Sequence, residues 1–460
     1  MSAMKKIALI ALAYPADGLG REPGERWFDV MPPLWALALA TYLRSAMPGV
    51  KVEIIDEQLL GRARFLQRLA AGRYELAGFS PVAYTYPAVL DCARLVKKNG
   101  AMVILGGHYA PALKNEILGA RGPGSSDYCI DAIVRYDGEK PLHALVSGTP
   151  FSGVKNLVYP GPGGKIIENP VAPLDLAKLP PADYTLVSLE AYFRLQPAHS
   201  RGTLPFASQR GCKWAEGPGR CIFCSIQSTG GLRAIAPAAA ALRMADLAKL
   251  GARYIFEGSD DFPADQAWLK EFASRAAGLK FPALRLFARA STLNQANVAL
   301  LKAANARYVS VGVESMSDAV LRCVGKGASA ALNRRAIALL LKAGILPKIH
   351  VILGLPGETR ATFSAGFAEF KKMELPVESP EPVLLTSTFA VYPGTEAWRR
   401  LLAREPGYRG RDIVDEKVLF RAWLKHFSRL TEGDIDSARA ALERLFAARV
   451  RVPGARRDKP

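Results

Sequence analysis

The chain has 460 residues, of which half are hydrophobic and 22% are charged. This balance predicts two or three globular domains with buried cores and excludes wholesale disorder. No apolar run approaches the roughly 20 residues that cross a bilayer, and six cysteines are too few for a disulfide scaffold of this length. The net charge of +19 comes from scattered basic residues without an aromatic-interleaved patch, which favours a solvated basic surface over a nucleic-acid site.

The first 148 residues alternate short apolar strands with amphipathic helices. The apolar stretch after Lys5 and Lys6 imitates a signal peptide, but the α/β pattern that follows at once favours a first buried strand and a cytoplasmic protein. This alternation predicts a Rossmann-like doubly wound parallel sheet over residues 1–148, with any ligand at the carboxyl ends of the strands. The predicted strands are 7–12, 52–55, 76–79, 102–105 and 130–135, and the predicted helices 33–45, 86–98 and 140–146.

Residues 149–200 are rich in proline and glycine and are predicted to be a connector with a short hairpin. A second series of strands and helices follows over residues 201–396, which predicts a partial (β/α)6 barrel of the TIM type with its chemistry at the carboxyl ends of the strands. Residues 397–460 are predicted to form a helical extension with a basic tail, in which Asp436 or Ser437 caps the last helix. The predicted barrel strands are 204–209, 254–257, 284–287, 308–313, 348–353 and 384–391.

Three cysteines, Cys212, Cys221 and Cys224, follow the first predicted barrel strand on one loop that contains glycine and proline. Structural zinc sites close with four ligands, and neither a fourth cysteine nor a histidine lies within this loop. Three thiolates can instead hold a [4Fe–4S] cluster and leave one iron open. Structural zinc and incidental buried cysteines remain alternatives, and the other three cysteines are interpreted as core residues.

The cysteine loop resembles the cluster loop of the radical S-adenosylmethionine (SAM) superfamily, whose usual spacing is Cys-x3-Cys-x2-Cys with an aromatic residue before the last cysteine. Phe223 occupies the aromatic position, whereas the first gap is eight residues instead of three. The resemblance extends over residues 204–395 and implies a [4Fe–4S] cluster on the three cysteines and SAM at the strand ends. The residues it places at SAM are Asp260, Asp261, Arg289, Glu314, Gly354, Pro356 and Gly357.

The front region resembles the cobalamin-binding domain that precedes many radical SAM barrels. The resemblance rests on the strand ends Gly78-Phe79-Ser80 and Gly106-Gly107-His108 and on the turn that ends at Glu139. It implies bound cobalamin (B12), with Ser80, Gly106, Gly107 and Glu139 as contacts. The Asp-x-His-x-x-Gly motif that supplies a cobalt-ligating histidine is missing near residues 56–58. The resemblance is therefore to members that bind cobalamin without a protein histidine, and members that keep the fold without the cofactor are the alternative.

The resemblance implies an enzyme, most simply a cobalamin-dependent radical SAM methyltransferase that acts on an unactivated carbon through a 5′-deoxyadenosyl radical. It identifies no individual catalytic side chain. Cyclisation, rearrangement or oxidation with the same cofactors is the first alternative, and an RNA methylthiotransferase-like enzyme or a zinc-stapled binding protein are further ones. The implied partners are a small-molecule, lipid-precursor or peptide substrate and a reductant such as flavodoxin or ferredoxin, without nucleic acid.

Overall fold

The computed structural model describes residues 3–13, 30–217, 220–226, 231–375 and 377–451. Within these ranges, no helix is both long enough and apolar enough to cross a membrane. Most of the predicted basic tail, residues 452–460, lies outside the described residues. The chain divides into two compact units, of which the first comprises Met1–Gln196, Ser225–Gly231 and Tyr392–Val418 and the second comprises Pro197–Cys224, Leu232–Val391 and Leu419–Pro460.

The first unit contains a seven-stranded sheet in the order β2-β1-β3-β4-β5-β6-β7. Strands β1 to β5 run parallel to one another, and β6 and β7 are antiparallel additions at one edge. The predicted doubly wound parallel sheet is therefore confirmed. Its strands are β1 (Lys6–Ala11), β2 (Lys51–Asp56), β3 (Leu76–Phe79), β4 (Met102–Leu105), β5 (Ala132–Val134), β6 (Leu157–Pro160) and β7 (Ile166–Glu168).

Helices cover the sheet of the first unit and bury its apolar side chains. The central strand, β4, is apolar throughout, and Ile7 and Leu9 on β1 are almost completely buried in the core. The hairpin predicted within residues 149–200 exists as β6 and β7, and the fully buried Val154 and Leu157 make it part of this same core. The helices are α1 (Leu34–Ala46), α2 (Glu57–Leu60), α3 (Arg62–Ala71), α4 (Tyr86–Lys98), α5 (Tyr109–Ala112), α6 (Lys114–Arg121), α7 (Glu139–Val146) and α8 (Leu189–Leu195).

The second unit contains a six-stranded sheet whose neighbouring strands are all parallel. The strand order β16-β14-β13-β12-β11-β8 places the first and last strands at opposite edges, as in the predicted partial barrel. Short strand pairs β9–β10 and β15–β17 flank it. The strands are β8 (Thr203–Phe206), β9 (Gln209–Arg210), β10 (Arg233–Ala234), β11 (Tyr254–Glu257), β12 (Ala283–Ala288), β13 (Ala306–Glu314), β14 (Leu346–Leu353), β15 (Val377–Glu378), β16 (Leu384–Thr388) and β17 (Val450–Arg451).

The predicted cap of the last helix is wrong. Thr431, and neither Asp436 nor Ser437, is the N-cap, because its hydroxyl accepts a hydrogen bond from the Asp434 backbone N–H while the Asp434 carboxylate accepts from the Thr431 backbone N–H. The observed N-cap therefore lies five residues before Asp436 and six before Ser437. The later helices are α9 (Pro237–Asp246), α10 (Gln266–Ala276), α11 (Gln295–Ala303), α12 (Asp318–Cys323), α13 (Ala330–Lys342), α14 (Arg360–Lys371), α15 (Glu396–Arg404), α16 (Glu416–Phe427) and α17 (Glu432–Ala447).

A buried ionic network lies toward the amino-terminal ends of the strands in the six-stranded sheet. Arg285 on β12 donates from Nη2 to both carboxylate oxygens of Glu381, at 2.7 and 2.6 Å. Lys348 on β14 lies 3.1 Å from the same carboxylate, and all three side chains are almost fully buried. Desolvation lowers the pKa of Lys348 to about 8. Glu381 thus offsets one of the two buried positive charges while it contacts both cations.

Candidate functional site

The three predicted cluster ligands lie beyond the carboxyl end of β8. Cys212 and Cys221 are buried, and Cys224 is half-buried. The Ala215 backbone N–H donates to the Cys212 carbonyl at 3.0 Å, and the Cys224 N–H donates to the Cys221 carbonyl at 3.2 Å. These local turns present the cysteines from one loop at the end of the sheet where parallel α/β folds place their chemistry.

Glu257 joins the segment just after β8, which leads into the cysteine loop, to the loop that follows β11. Its fully buried carboxylate accepts hydrogen bonds from the backbone N–H and hydroxyl of Ser208, at 2.7 and 2.8 Å. It also accepts from the N–H and hydroxyl of Ser259, at 3.0 and 2.8 Å. Burial raises the pKa of Glu257, and these four hydrogen bonds oppose that change. The sequence analysis missed this residue, although an acid at the end of a buried strand was the available signal.

Arg289 lies against a cluster cysteine. Its Nη1 is 3.7 Å from the Cys221 sulfur, and its guanidinium carbon is 4.6 Å from the centroid of the Trp214 ring. The Trp214 indole N–H in turn donates to the Gly325 carbonyl at 2.8 Å. A nearby cation stabilises a thiolate, which is the form of cysteine that binds metal. Arg289, which the sequence analysis predicts to contact SAM, therefore also lies where its charge favours metal binding by Cys221.

The two predicted acids after β11 hold backbone groups beside the cysteine loop. Asp261 accepts hydrogen bonds from the Arg289 backbone N–H at 3.0 Å and from the Thr292 hydroxyl at 2.8 Å. Asp260 accepts from the backbone N–H of Gly211, the residue before the first cysteine. Burial raises the pKa of both carboxyl groups. Asp260 and Asp261 therefore brace the loops after β8 and β12.

Glu314, at the end of β13, forms a buried ion pair with Lys326. The Lys326 ammonium lies 2.6 Å from Glu314 Oε1, and both side chains are 8% exposed. The Lys326 carbonyl accepts a hydrogen bond from the Arg289 guanidinium, so the pair is linked to the residue beside Cys221. The sequence analysis found Glu314 but missed Lys326, whose signal is a lysine between two glycines just after α12.

The predicted turn after β14 contains two glycines with positive φ, Gly354 at 86° and Gly357 at 77°. A Cβ at position 354 would lie 2.7 Å from the Phe420 ring, and one at position 357 would lie 3.2 Å from the Cys323 sulfur. Pro356 lies between these two positions. Close packing and backbone conformation therefore both require glycine at this strand end.

A row of aromatic rings connects the cysteine loop to this turn. Phe223, the residue before the third cysteine, contacts Phe389 edge to face with ring centroids 6.3 Å apart. Phe389 packs on Trp423 at 4.6 Å, and the Trp423 indole N–H donates to the Gly354 carbonyl at 3.2 Å. The predicted aromatic position thus helps to bring the ends of β8, β14 and β16 into one site.

The free energy of unfolding should fall as the pH rises from about 4.5 to 7, because the buried carboxyl group of Glu358 resists ionisation in the folded state. This carboxyl is 3% exposed, accepts from the Gly354 N–H at 2.7 Å, and has its pKa raised to about 7 by burial. The folded state therefore binds a proton that the unfolded state has released, and the contribution is about 3 kcal/mol at full effect. Denaturant unfolding at pH 5 and 8 should show that Glu358→Gln lessens this loss. An unchanged pH dependence in the variant would contradict the assignment.

In the first unit, the predicted cobalamin contacts lie at the carboxyl ends of β3, β4 and β5. Ser80 follows β3, and Gly106 and Gly107 follow β4. Gly107 has φ of 75°, and a Cβ there would lie 2.6 Å from the Ser80 hydroxyl, so the structure brings these residues together. Glu139 begins α7 just after β5 and is 2% exposed. Small residues at this edge leave the backbone open to a bulky ligand.

The donor set on the cysteine loop fits a [4Fe–4S] cluster, in which each of three thiolates ligates a different iron. Among the residues that the structure describes, no three or more His, Cys, Asp or Glu side chains are close enough together to hold a single metal ion. Cys212 has a pKa raised by burial, against hydrogen bonds from the Trp214 and Ala215 N–H groups that lower it. Bonds to iron would offset the free-energy cost of burying the Cys212 thiolate away from water.

Residues 208–365 match the family model of the radical SAM superfamily. The chain carries a radical SAM domain. The matched segment begins just before the cysteine loop and includes Glu257, Arg289, Glu314 and Lys326, so the resemblance inferred from the cysteines is confirmed.

Two curated relatives match most of the length of this chain. One is an uncharacterized methyltransferase, PH0819, from Pyrococcus horikoshii, which is 24% identical over 86% of this chain and 84% of its own. The other is the anaerobic magnesium-protoporphyrin IX monomethyl ester cyclase of Rubrivivax gelatinosus, which is 26% identical over 75% of this chain and 62% of its own.

Two solved structures share the fold of this chain. The methyltransferase TsrM from Kitasatospora setae, with cobalamin and a [4Fe–4S] cluster bound, has a TM-score of 0.72 and 17% identity, over 98% of this chain and 93% of its own. The cobalamin-dependent radical SAM enzyme OxsB, with aqua-cobalamin and SAM bound, also has a TM-score of 0.72, with 15% identity over 92% of this chain. This chain spans 66% of the OxsB chain. The predicted fold class, a Rossmann-like domain followed by a radical SAM barrel, is confirmed.

Proposed function

We propose that the protein is a cobalamin-dependent radical SAM methyltransferase that acts on an unactivated carbon, with a [4Fe–4S] cluster on Cys212, Cys221 and Cys224. The observation that carries the proposal is the position of these three cysteines on the loop after the first strand of the six-stranded sheet, with Arg289 against Cys221. The likeness of fold to TsrM over nearly the whole chain supports methyl transfer as the outcome.

The residues at the other strand ends would hold SAM. The buried Glu314–Lys326 pair supplies a carboxylate and an ammonium, while Asp260, Asp261 and Arg289 brace the cysteine loop. Gly354, Pro356 and Gly357 would shape the turn after β14 beside which the adenine ring would lie. When bound, the cluster and SAM supply a 5′-deoxyadenosyl radical and cobalamin supplies a methyl group. The protein's share is to orient these groups and to exclude water.

Ser80, Gly106, Gly107 and Glu139 would hold cobalamin at the carboxyl edge of the front sheet. The predicted domain bounds, 1–148, 149–200, 201–396 and 397–460, are part of the proposal. So are a cytoplasmic location, a small-molecule, lipid-precursor or peptide substrate, and a reductant of the flavodoxin or ferredoxin kind. We propose no nucleic-acid partner, because the basic residues are scattered along the chain.

The second candidate is cyclisation, rearrangement or oxidation with the same cofactors, which the likeness to the R. gelatinosus cyclase favours. The two candidates differ in what becomes of SAM. Methyl transfer from SAM leaves S-adenosylhomocysteine, whereas radical formation leaves 5′-deoxyadenosine.

The test is to incubate the anaerobically prepared protein with cobalamin, SAM and a chemical reductant and to separate the nucleoside products. The proposal predicts both S-adenosylhomocysteine and 5′-deoxyadenosine. 5′-Deoxyadenosine alone would replace methyl transfer with the second candidate, and the absence of both products would contradict radical SAM chemistry altogether. Once a substrate is found, a mass gain of one methylene unit identifies methylation.

Gly312→Ala should weaken the binding of S-adenosylhomocysteine, a stable product that shares the groups of SAM. A Cβ at position 312 would lie 2.5 Å from Glu314 Oε1 and 2.6 Å from Lys326 Nζ, so the buried ion pair must shift. We expect about tenfold weaker binding by isothermal titration calorimetry, or about 1.4 kcal/mol. Gly258→Ala is the matched control, since its nearest contact would be an ordinary 3.6 Å to the Phe206 carbonyl. Equal affinity in the two variants would contradict the assignment of the Glu314–Lys326 ion pair to the SAM site.

A further inference from the structure

An open groove of about 620 Å³ lies at the amino-terminal ends of β11 to β14, at the opposite ends of these strands from the cysteine loop. Its volume is in the usual range for small-molecule sites. Arg253, Lys280 and Arg307 line it, and all three are exposed. In this described part of the chain, neither aspartate nor glutamate is among the lining residues. The groove therefore presents positive charge to solvent.

Tyr254 and Tyr308 contribute to the lining of the groove and contact each other edge to face, with ring centroids 6.2 Å apart. The Arg285 guanidinium lies 4.4 Å from the Tyr308 ring centroid, and the Lys348 ammonium lies 5.6 Å from it. These are the two cations that share the buried carboxylate of Glu381. The groove thus borders directly on the buried ionic network.

The buried network adds to the positive potential of the groove. Arg285, Lys348 and Glu381 together carry a net charge of +1 when all three are ionised, and their burial weakens screening by solvent and salt. The exposed cations add three more positive charges at the rim. A site with this excess favours a compact ligand that carries several negative charges.

From these contacts we infer that the groove is a second binding site, for a small oligophosphate anion, at the amino-terminal end of the barrel sheet. Two arginines at the rim can each bind phosphate oxygens through two parallel N–H donors, and Lys280 adds a point charge. The tyrosine rings offer apolar surface beside the charges. The site is independent of the cluster and of the proposed methyl transfer, because the residues that form it lie at the other ends of the strands.

The test is calorimetric titration of inorganic pyrophosphate into the full-length protein at low ionic strength. We expect one binding event whose affinity falls with added salt. The double variant Arg253→Gln/Arg307→Gln should weaken binding about tenfold. The double variant Lys270→Gln/Arg275→Gln, which changes the net charge equally at exposed positions outside the groove, should bind as the unmodified protein does. Lys280→Gln, at an exposed position in the groove, is a milder third variant.

Absence of pyrophosphate binding would overturn the inference. Equal weakening in the two double variants would also overturn it, because binding would then reflect general attraction to a chain of charge +19. Iron content and SAM cleavage do not enter these measurements, so the outcome is distinct from that of the proposed function. Unfolding curves recorded without pyrophosphate verify that each variant is folded before its titration is interpreted.

Discussion

Replacing Cys212, Cys221 or Cys224 singly by alanine should abolish reductive SAM cleavage and lower the iron content of the protein. The three thiols are the predicted ligands of the cluster, and a cluster that loses one of three thiolates has no replacement donor in the same loop. The measurements are iron and sulfide content after anaerobic reconstitution, followed by 5′-deoxyadenosine release. We expect cleavage below the detection limit in each variant.

Cys323→Ala is the control for these variants. Cys323 lies outside the cysteine loop and, contrary to its interpretation as a core residue, is exposed. Its replacement should leave four irons, about the full complement of one cluster, and should preserve SAM cleavage. Retained cleavage in all three loop variants, or the same loss of iron in Cys323→Ala, would refute the assignment of the ligands.

Glu381→Gln should destabilise the protein by about 3–5 kcal/mol. The neutral amide would leave Arg285 and Lys348 buried without their shared negative charge, and the cost of an uncompensated buried charge exceeds the worth of most surface contacts. Urea unfolding followed by circular dichroism measures this loss. Because the pKa of Lys348 is already lowered to about 8, the variant should recover part of its stability as pH rises from 7 to 9 and the lysine loses its proton.

The matched control for this prediction is Glu432→Gln. Glu432 pairs with Arg421 at 3.0 Å, but both side chains are more than half exposed, so the pair is worth about 0–1 kcal/mol. If Glu381→Gln and Glu432→Gln cost the same, the buried network would not stabilise the six-stranded sheet.

The fold was largely predictable because its strands are continuous apolar runs bounded by turns. Leu76–Phe79, Met102–Leu105 and Tyr254–Glu257 have the predicted bounds, and α4 begins and ends as its amphipathic pattern indicates. The start of α17 was missed, because the Thr431–Asp434 capping box was overlooked in favour of later polar residues. The hairpin at residues 157–168 was expected, whereas its pairing with β5 depends on contacts between distant segments that no local pattern contains.

The parts of the candidate site that form short sequence motifs were predictable. The contacts between residues that are far apart in the sequence were not. The cysteine loop, Glu314 and the turn from Gly354 to Gly357 stand out in the sequence. Lys326 is 12 residues from Glu314, and nothing in that spacing indicates an ion pair. Glu257 and Glu381 owe their roles to hydrogen bonds and ion pairs with residues on other strands, which only the folded chain brings together.

Metal analysis after anaerobic purification in the presence of cobalamin tests the central claim most directly. Iron, sulfide, cobalt and zinc would be measured on one sample together with its visible spectrum. The account predicts about four irons and four sulfides per chain, with cobalt. Iron without cobalt would preserve the radical SAM assignment and contradict the cobalamin site at Ser80, Gly106 and Gly107. Zinc without iron would contradict the proposed function.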